Sequence, residues 1–296
     1  MRRISSFLAC LGLLAALGGP LAGAGPNRVN VAFSQATFPD VAMQDVRAAL
    51  AIWGDEITRN MKGIDSFSTN IYPTPEALIE AMRMGDVDLA VLPTLDFLRV
   101  EALLNADLGL ISKSGPGGAQ HYLLVVRAAL PAQQLRTLRD LRFCHVKNDA
   151  VGLLFLNHAL LQQGLPEMDR FFASTEARSK GSQALSTVYF GGADACVVTE
   201  EAYQTTVAMN PQIGRKVRIL LTSPELMGSV AVYRKGYPAP MRELVLKGVN
   251  LLKNYPRGAQ ILSMFQATEL RQAREADLTE TRRLYREYRQ KKGRLL

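Results

Sequence analysis

The chain has 296 residues, 48% of them hydrophobic by class, 21% charged and 7% aromatic. That is the balance of a protein that folds around a core, and it excludes disordered and fibrous classes. The formal net charge of +8 would suit an acidic partner, but the charge is concentrated at the two ends of the chain.

At the amino end, Arg2 and Arg3 precede an apolar run over 7–17, followed by Gly18, Gly19, Pro20 and the small-residue site Ala22-Gly23-Ala24. This is the layout of a secretory signal peptide, 1–24, cut after Ala24. The run is broken before it reaches the ~20 apolar residues of a spanning helix. Cys10 does not mark a lipoprotein, because no apolar stretch long enough to insert precedes it. The mature protein is therefore expected to be soluble and exported. Removing 1–24 takes away Arg2 and Arg3 and lowers the charge by two, to +6. Residues 269–296 hold nine cations against five anions, so little positive charge is left for the rest, and no nucleic-acid partner is expected. Within that tail, 279–292 reads as a polar helix with Leu284, Tyr285 and Tyr288 on one side and a solvated charged face; a membrane surface or a docked partner is the other use open to it.

Short apolar runs alternate with helical periodicity along the mature chain, which predicts an α/β fold with largely parallel strands. A strand is expected at 29–33, with Gln35, Thr37 and Phe38 in the loop after it. Val46, Leu50, Trp53 and Ile57 then make the stripe of an amphipathic helix. A strand follows at 67–72, and Thr74-Pro75-Glu76 offers a cap, a first-turn proline and an early acid for a helix that Gly85 closes. Residues 87–92 form the third strand, and Thr94 caps the helix carrying Phe97, Leu98 and Leu103. Residues 112–118 are the clearest loop signal in the chain.

The pattern then restarts. Strands are expected at 120–127, 142–146, 170–173, 194–198 and 217–221, with helices at 152–161 and 182–189, the latter capped by Ser182. The text Met84-Gly-Asp-Val-Asp-Leu-Ala-Val-Leu92 is echoed by Gly191-Gly-Ala-Asp-Ala-Cys-Val-Val198. Two similar lobes are expected, with 25–118 and 228–296 in the first and 119–227 in the second. Cys144 and Cys196 lie in strands of the second lobe and are expected as buried thiols, since a bridge between parallel neighbours needs uncommon geometry.

Ligands bind open parallel sheets beyond the carboxyl ends of the strands. The candidate lining is Gln35, Thr37, Phe38, Thr94, Asn148, Asp149, Lys180, Ser182, Gln183, Thr199 and Ser223. No nucleophile, acid/base pair or metal cluster gathers: His121, His145 and His158 lack ligand spacing, and Cys144 and His145 point to opposite faces of a strand. No cofactor, no metal and no catalysis are expected.

The text Met84-Gly-Asp-Val-Asp-Leu-Ala-Val-Leu-Pro-Thr94, with Leu138-Arg-Asp-Leu-Arg-Phe143 and the segment from Gly181 to Val188 leading into Gly191 and Asp194, resembles the periplasmic phosphonate-, phosphite- and phosphate-binding proteins of ABC importers. The resemblance implies a two-lobed type II periplasmic binding protein, each lobe a mostly parallel sheet flanked by helices. It implies a small polar ligand, phosphonate- or phosphate-like, and an inner-membrane permease as partner. A sensor protein is the alternative partner, and a ligand-free scaffold the alternative role. The departures bear on the ligand. Where such proteins place Ser, Thr, Ser and Gly at the start of the second lobe's first helix, this chain has Asn148-Asp149-Ala150-Val151-Gly152. A carboxylate there competes with an anion for the helix amides. Gly181-Ser182-Gln183 stands in place of Gly-Ser-His, and Phe97 in place of a tyrosine.

Overall fold

The computed structural model describes residues 27–38, 42–113, 117–131, 133–256 and 269–293; the segment expected as a signal peptide and part of the glycine-rich loop, 114–116, lie outside these. In chain order the first elements are β1 (Arg28–Ser34), α1 (Met43–Asn60), β2 (Ser66–Tyr72), α2 (Pro75–Met84), β3 (Leu89–Pro93), α3 (Thr94–Val100), β4 (Ala106–Leu108) and β5 (Leu110–Ser112). Next come β6 (Ala119–Gln120), β7 (Tyr122–Arg127), β8 (Arg142–Val146), α4 (Ala150–Gln162), α5 (Met168–Phe171), β9 (Ser174–Arg178), α6 (Gly181–Tyr189), β10 (Ala195–Thr199), α7 (Glu200–Met209) and α8 (Pro211–Lys216). The chain continues through β11 (Val217–Thr222), β12 (Leu226–Met227), β13 (Ser229–Arg234), α9 (Ala239–Leu251), β14 (Leu270–Gln272) and α10 (Glu275–Gly293).

Two five-stranded sheets carry two lobes. Their orders, β2-β1-β3-β13-β4 and β9-β8-β10-β7-β11, are the same arrangement built twice. In each, the first three strands run parallel, the fourth (β13 or β7) is antiparallel to both its neighbours, and the fifth therefore runs with the first three, so each sheet is mixed but mostly parallel, as expected. The echoed text explains why the two sheets match. Asp88 and Asp194 stand just before the central strands β3 and β10 and are both buried. The Asp88 carboxylate accepts from the Asn30 amide of β1 and from Arg234 of β13, at 2.9 and 2.8 Å. The Asp194 carboxylate accepts from the Arg142 amide of β8 at 3.0 Å and from Arg127 of β7. One carboxylate thus ties a parallel neighbour and an antiparallel neighbour to the middle of each sheet, a charge-assisted contact shielded from water. The left-handed glycines Gly85 and Gly191 make the tight turns that lead into these positions.

Four apolar clusters cover the two faces of the two sheets. Trp53, Leu50 and Ile57 of α1 pack on Val29, Val31 and Phe33 of β1, while α2 packs Leu78, Ala81 and Met82 on Ala32, Ala90 and Leu92. In the second lobe α4 covers Leu124, Phe143 and Val197, and α6 covers Val125, Cys144 and Cys196 from the other side. Cys144 and Cys196 are direct register partners on β8 and β10, both buried and both free.

Several expectations are corrected. The segment expected as a strand at 170–173 is the end of α5, because Phe171 and Phe172 are drawn into the core; the strand is β9, an exposed edge without alternating apolar residues. The single strand at 120–127 is broken into β6 and β7 at His121. Thr74 caps α2 by accepting from the Ala77 amide, but Thr94 and Ser182 cap nothing. Both lie inside the first turn of their helices, where the side chain no longer reaches back to a free amide.

The carboxyl-terminal helix α10 is not chiefly a solvated face. Leu284 is buried in the cluster beneath α4, with Tyr285 and Tyr288 beside it, and Leu278 is buried in the cluster of α2. This accounts for the composition of α4, which is apolar all round: the sheet covers one side and α10 another. Polar contacts frame the seam: His158 Nε2 to Glu287 at 2.8 Å, Tyr288 and Lys292 to Glu167, and Arg282 to Glu101.

In the first turn of α10, Asp277 accepts from Arg271 at 2.7 and 2.8 Å and from the Arg274 amide at 2.7 Å. The Arg271 hydrogen bonds hold its carboxyl down to about 2. A depressed carboxylate contributes stability that is complete above the ordinary carboxylate range and is lost as the pH falls toward the folded value. Asp277→Asn is therefore expected to unfold at lower urea than the native chain at neutral pH, with the difference closing as the pH approaches 2. A deficit independent of pH would count against the ionic origin.

Candidate functional site

Backbone hydrogen bonds show which ends of the sheets face each other. The Thr94 amide, just past β3, donates to Gly228 O, and the Gly228 amide donates to Gly118 O, each at 3.0 Å. The Glu200 amide, just past β10, donates to His121 O at 2.9 Å, and the Ser223 amide donates to Tyr122 O at 2.8 Å. Residues 117–121 and 223–228 run between the two sheets and are joined by the short β6–β12 pair. The carboxyl ends of both central strands therefore abut the same hinge, where the open-sheet rule puts a ligand.

The residues singled out in the sequence fall into three groups at this end. The first is spent on structure. Phe38 packs on Phe33 with ring centroids 5.4 Å apart, and Thr199 accepts from the Ala202 amide at the start of α7. Ser223 Oγ accepts from the Tyr122 amide at 2.8 Å and donates to Pro224 O, while Ser223 O meets His121 Nδ1 at 2.9 Å. The second group is more open. Gln35 is exposed in the turn after β1, with Thr37 half-buried beside it and donating its hydroxyl to Val91 O at 3.5 Å. Lys180 precedes α6, and Ser182 and Gln183 line a shallow depression of about 500 Å³ along α6 with Arg178, Ser186, Thr187 and Phe190. The tips of α4 and α6 rise from opposite faces of the second sheet, so these residues flank Asp149 without touching it in the contacts described.

The third group is buried and polar. Thr94 Oγ1 is fully buried and has no hydrogen-bond partner among the described residues. The same is true of Ser34 Oγ at the end of β1, a residue that sequence reasoning passed over although it is the last hydroxyl of the first parallel strand. Ser34 shares the sheet face of Ala32 and Leu92, the face on which Thr94 opens α3. Two unpaired buried hydroxyls at adjacent strand ends are costly unless something supplies their hydrogen bonds.

Asn148 and Asp149 begin α4. Asn148 adopts a left-handed φ of 59°, which asparagine tolerates better than most residues, and this turns the chain so that Asp149 becomes the helix cap. Asp149 Oδ1 accepts from the Gly152 amide at 3.1 Å, and the Tyr122 phenol donates to the same carboxylate. Burial raises the Asp149 carboxyl above its ordinary value, against the Gly152 amide, the Tyr122 phenol and the nearby His145, which pull it down. Burial and the Asp149 charge push the Tyr122 phenol well up. Tyr122 was also missed, because a partner 27 positions away leaves no local signal.

Among the described residues no cluster of His, Cys, Asp and Glu could hold a metal ion. No described helix is long and apolar enough to cross a membrane.

Residues 36–278 match the family of ABC transporter phosphonate periplasmic substrate-binding proteins. The chain belongs to this family. Its members are substrate-binding components of transporters and not enzymes, and they are periplasmic. Among solved structures, PhnD1 from Prochlorococcus marinus in complex with methylphosphonate superposes with a TM-score of 0.59 at 16% identity, covering 89% of this chain and 99% of that one. XAC2383 from Xanthomonas citri bound to ATP gives 0.61 at 16% identity, covering 90% and 98%. A binding-protein component of an ABC phosphonate transporter from Pseudomonas aeruginosa gives 0.56 at 14%, covering 90% and 88%. These likenesses establish the type II binding-protein fold. A search of curated proteins returns no match.

Proposed function

We propose that the chain is the periplasmic solute-binding component of an ABC importer, closing its two lobes over a small polar ligand and delivering it to an inner-membrane permease. The observation that carries this reading is the hinge: membership of the family coincides with two matching sheets whose strand ends meet at one double crossing. Ser34 and Thr94 are the contacts of the first lobe, their unpaired hydroxyls completed by the ligand, with Gln35 and Thr37 at the rim. Asn148, Asp149 and Lys180 are the contacts of the second lobe, with Ser182 and Gln183 at its margin. The proposed lobes are 25–118 with 228–296 against 119–227, with the end of α10 reaching across to pack Leu284 on the second. Binding favours the closed form by as much as the ligand prefers it to the open one.

The test uses the chain purified from the periplasm. Phosphate, phosphite, methylphosphonate, sulfate, carboxylates, amino acids and polyols are screened by thermal shift, and any hit is followed by X-ray scattering. A ligand at ~100 times its Kd adds about 2.7 kcal/mol, which is easily seen. The expected result is at least one solute that raises Tm and reduces the radius of gyration. A chain that neither gains stability nor contracts with any solute would overturn the reading.

A further inference from the structure

The amide end of a helix attracts anions, because its first amides are unpaired and carry the positive end of the helix dipole. In α4 that end is already occupied by the chain itself. The Asp149 carboxylate accepts the Gly152 amide on one oxygen, while the other stands 2.7 Å from where a Cβ on residue 152 would be. The Tyr122 ring also lies against this point, 3.0 Å away. Residue 152 must be glycine for the carboxylate to sit so deep, and Tyr122 donates its phenol proton to it from β7. The groups facing this carboxylate are a backbone amide, a phenol and, from β8, the imidazole of His145; no lysine or arginine forms an ion pair with it among the contacts described. The site is thus built around a carboxylate held by a backbone amide and a phenol beside an imidazole, and it keeps lone pairs to spare.

We infer that Asp149 sets the ligand class of this protein: it excludes a free oxyanion from the amide end of α4, and the ligand presents a hydrogen-bond donor, a hydroxyl or a protonated amine, to that carboxylate. The inference rests on the proposed binding function and places the chain, within its family, on a different ligand chemistry from that of a bare phosphonate. An incoming oxyanion would meet like charge and an amide already spent, whereas an incoming donor finds an acceptor that is partly desolvated and oriented by the cap.

The experiment compares the native chain with Asp149→Ser and Asp149→Asn, titrating methylphosphonate by calorimetry at mildly alkaline pH. Asparagine keeps the cap and removes the charge; serine also frees room and offers a donor. Both variants are expected to bind methylphosphonate at least about tenfold more tightly than the native chain, serine more than asparagine, a gain of about 1.4 kcal/mol. The amino acids and polyols of the thermal screen are expected to rank above methylphosphonate for the native chain and below it for Asp149→Asn. Folded variants that gain nothing, or native binding of methylphosphonate that the substitutions weaken, would overturn the inference. Should Asp149→Ser fail to fold, Asp149→Asn decides alone. A native chain that contracts around methylphosphonate would leave the binding function standing while removing this account of its ligand.

Discussion

Asp194→Ala is expected to cost about 3–4 kcal/mol of stability, the largest loss from any single polar substitution in the second lobe. The side chain is 6% exposed and holds three groups at once: the Arg142 amide, the Arg142 guanidinium and Arg127. Truncation leaves the amide without its acceptor and two guanidinium groups without their counter-charge at the edge of the core. Burial by itself would raise the Asp194 carboxyl, but the hydrogen bonds from Arg142 and the charge of Arg127 win and hold it below its usual range. The sign follows: the contribution is complete above the ordinary carboxylate range and disappears as acid protonates Asp194 in the folded state. Because Asp88 plays the same part in the first lobe, Asp88→Ala is expected to lose a similar amount. Urea midpoints of the two variants check both statements. A loss below about 1 kcal/mol at Asp194 would mean that the shared carboxylate decorates the sheets without tying them.

Leu284→Ala is expected to cost about 3 kcal/mol, the range of a buried leucine whose surroundings cannot collapse. A leucine on a helix with so many charges would ordinarily be half solvated, and its truncation would barely register. Here the side chain is 1% exposed, set among residues of the second lobe's core. The measurement is again the urea midpoint, with Arg286→Ala on the same helix as the neutral comparison. If the two variants behaved alike, α10 would have to be a loosely attached tail and not part of the folded body.

The same two regions show how far the sequence could be read. The echoed text around Asp88 and Asp194 was legible because the turn glycine, the aspartate and the apolar strand are contiguous, and contiguous patterns survive in one dimension. The partners of those aspartates, Arg234 and Arg127, lie across the sheet and left no trace. Strand β9 was invisible because it is a solvent-exposed edge, so its residues carry no alternation, while the buried Phe171 and Phe172 beside it imitated a strand. The helix at 279–292 was legible as a helix but not as a packed one. The clue lay elsewhere, in α4, whose apolar residues are too many for the sheet alone to cover and call for another element against it. Of the candidate site, the strand-end loops were found by rule, and Asp149 was found by its clash with an anion-binding helix end. Ser34 and Tyr122 were not found, since what marks them is burial and a long-range contact.

The order of strands in the first sheet has a temporal side. Strand β13 sits between β3 and β4, yet it is made only after every strand of the second sheet. The second sheet is drawn from one unbroken stretch and can collapse on its own contacts. The first must hold open a gap in its middle until residues 229–234 arrive, with the edges of β3 and β4 unsatisfied until then. Closing that gap joins segments far apart in the chain and is slow on entropic grounds. The sheet that begins the polypeptide is therefore the one that closes last, and a chain interrupted before β13 would carry a complete second sheet, still without the cover of α10, beside an amino-terminal sheet that cannot close.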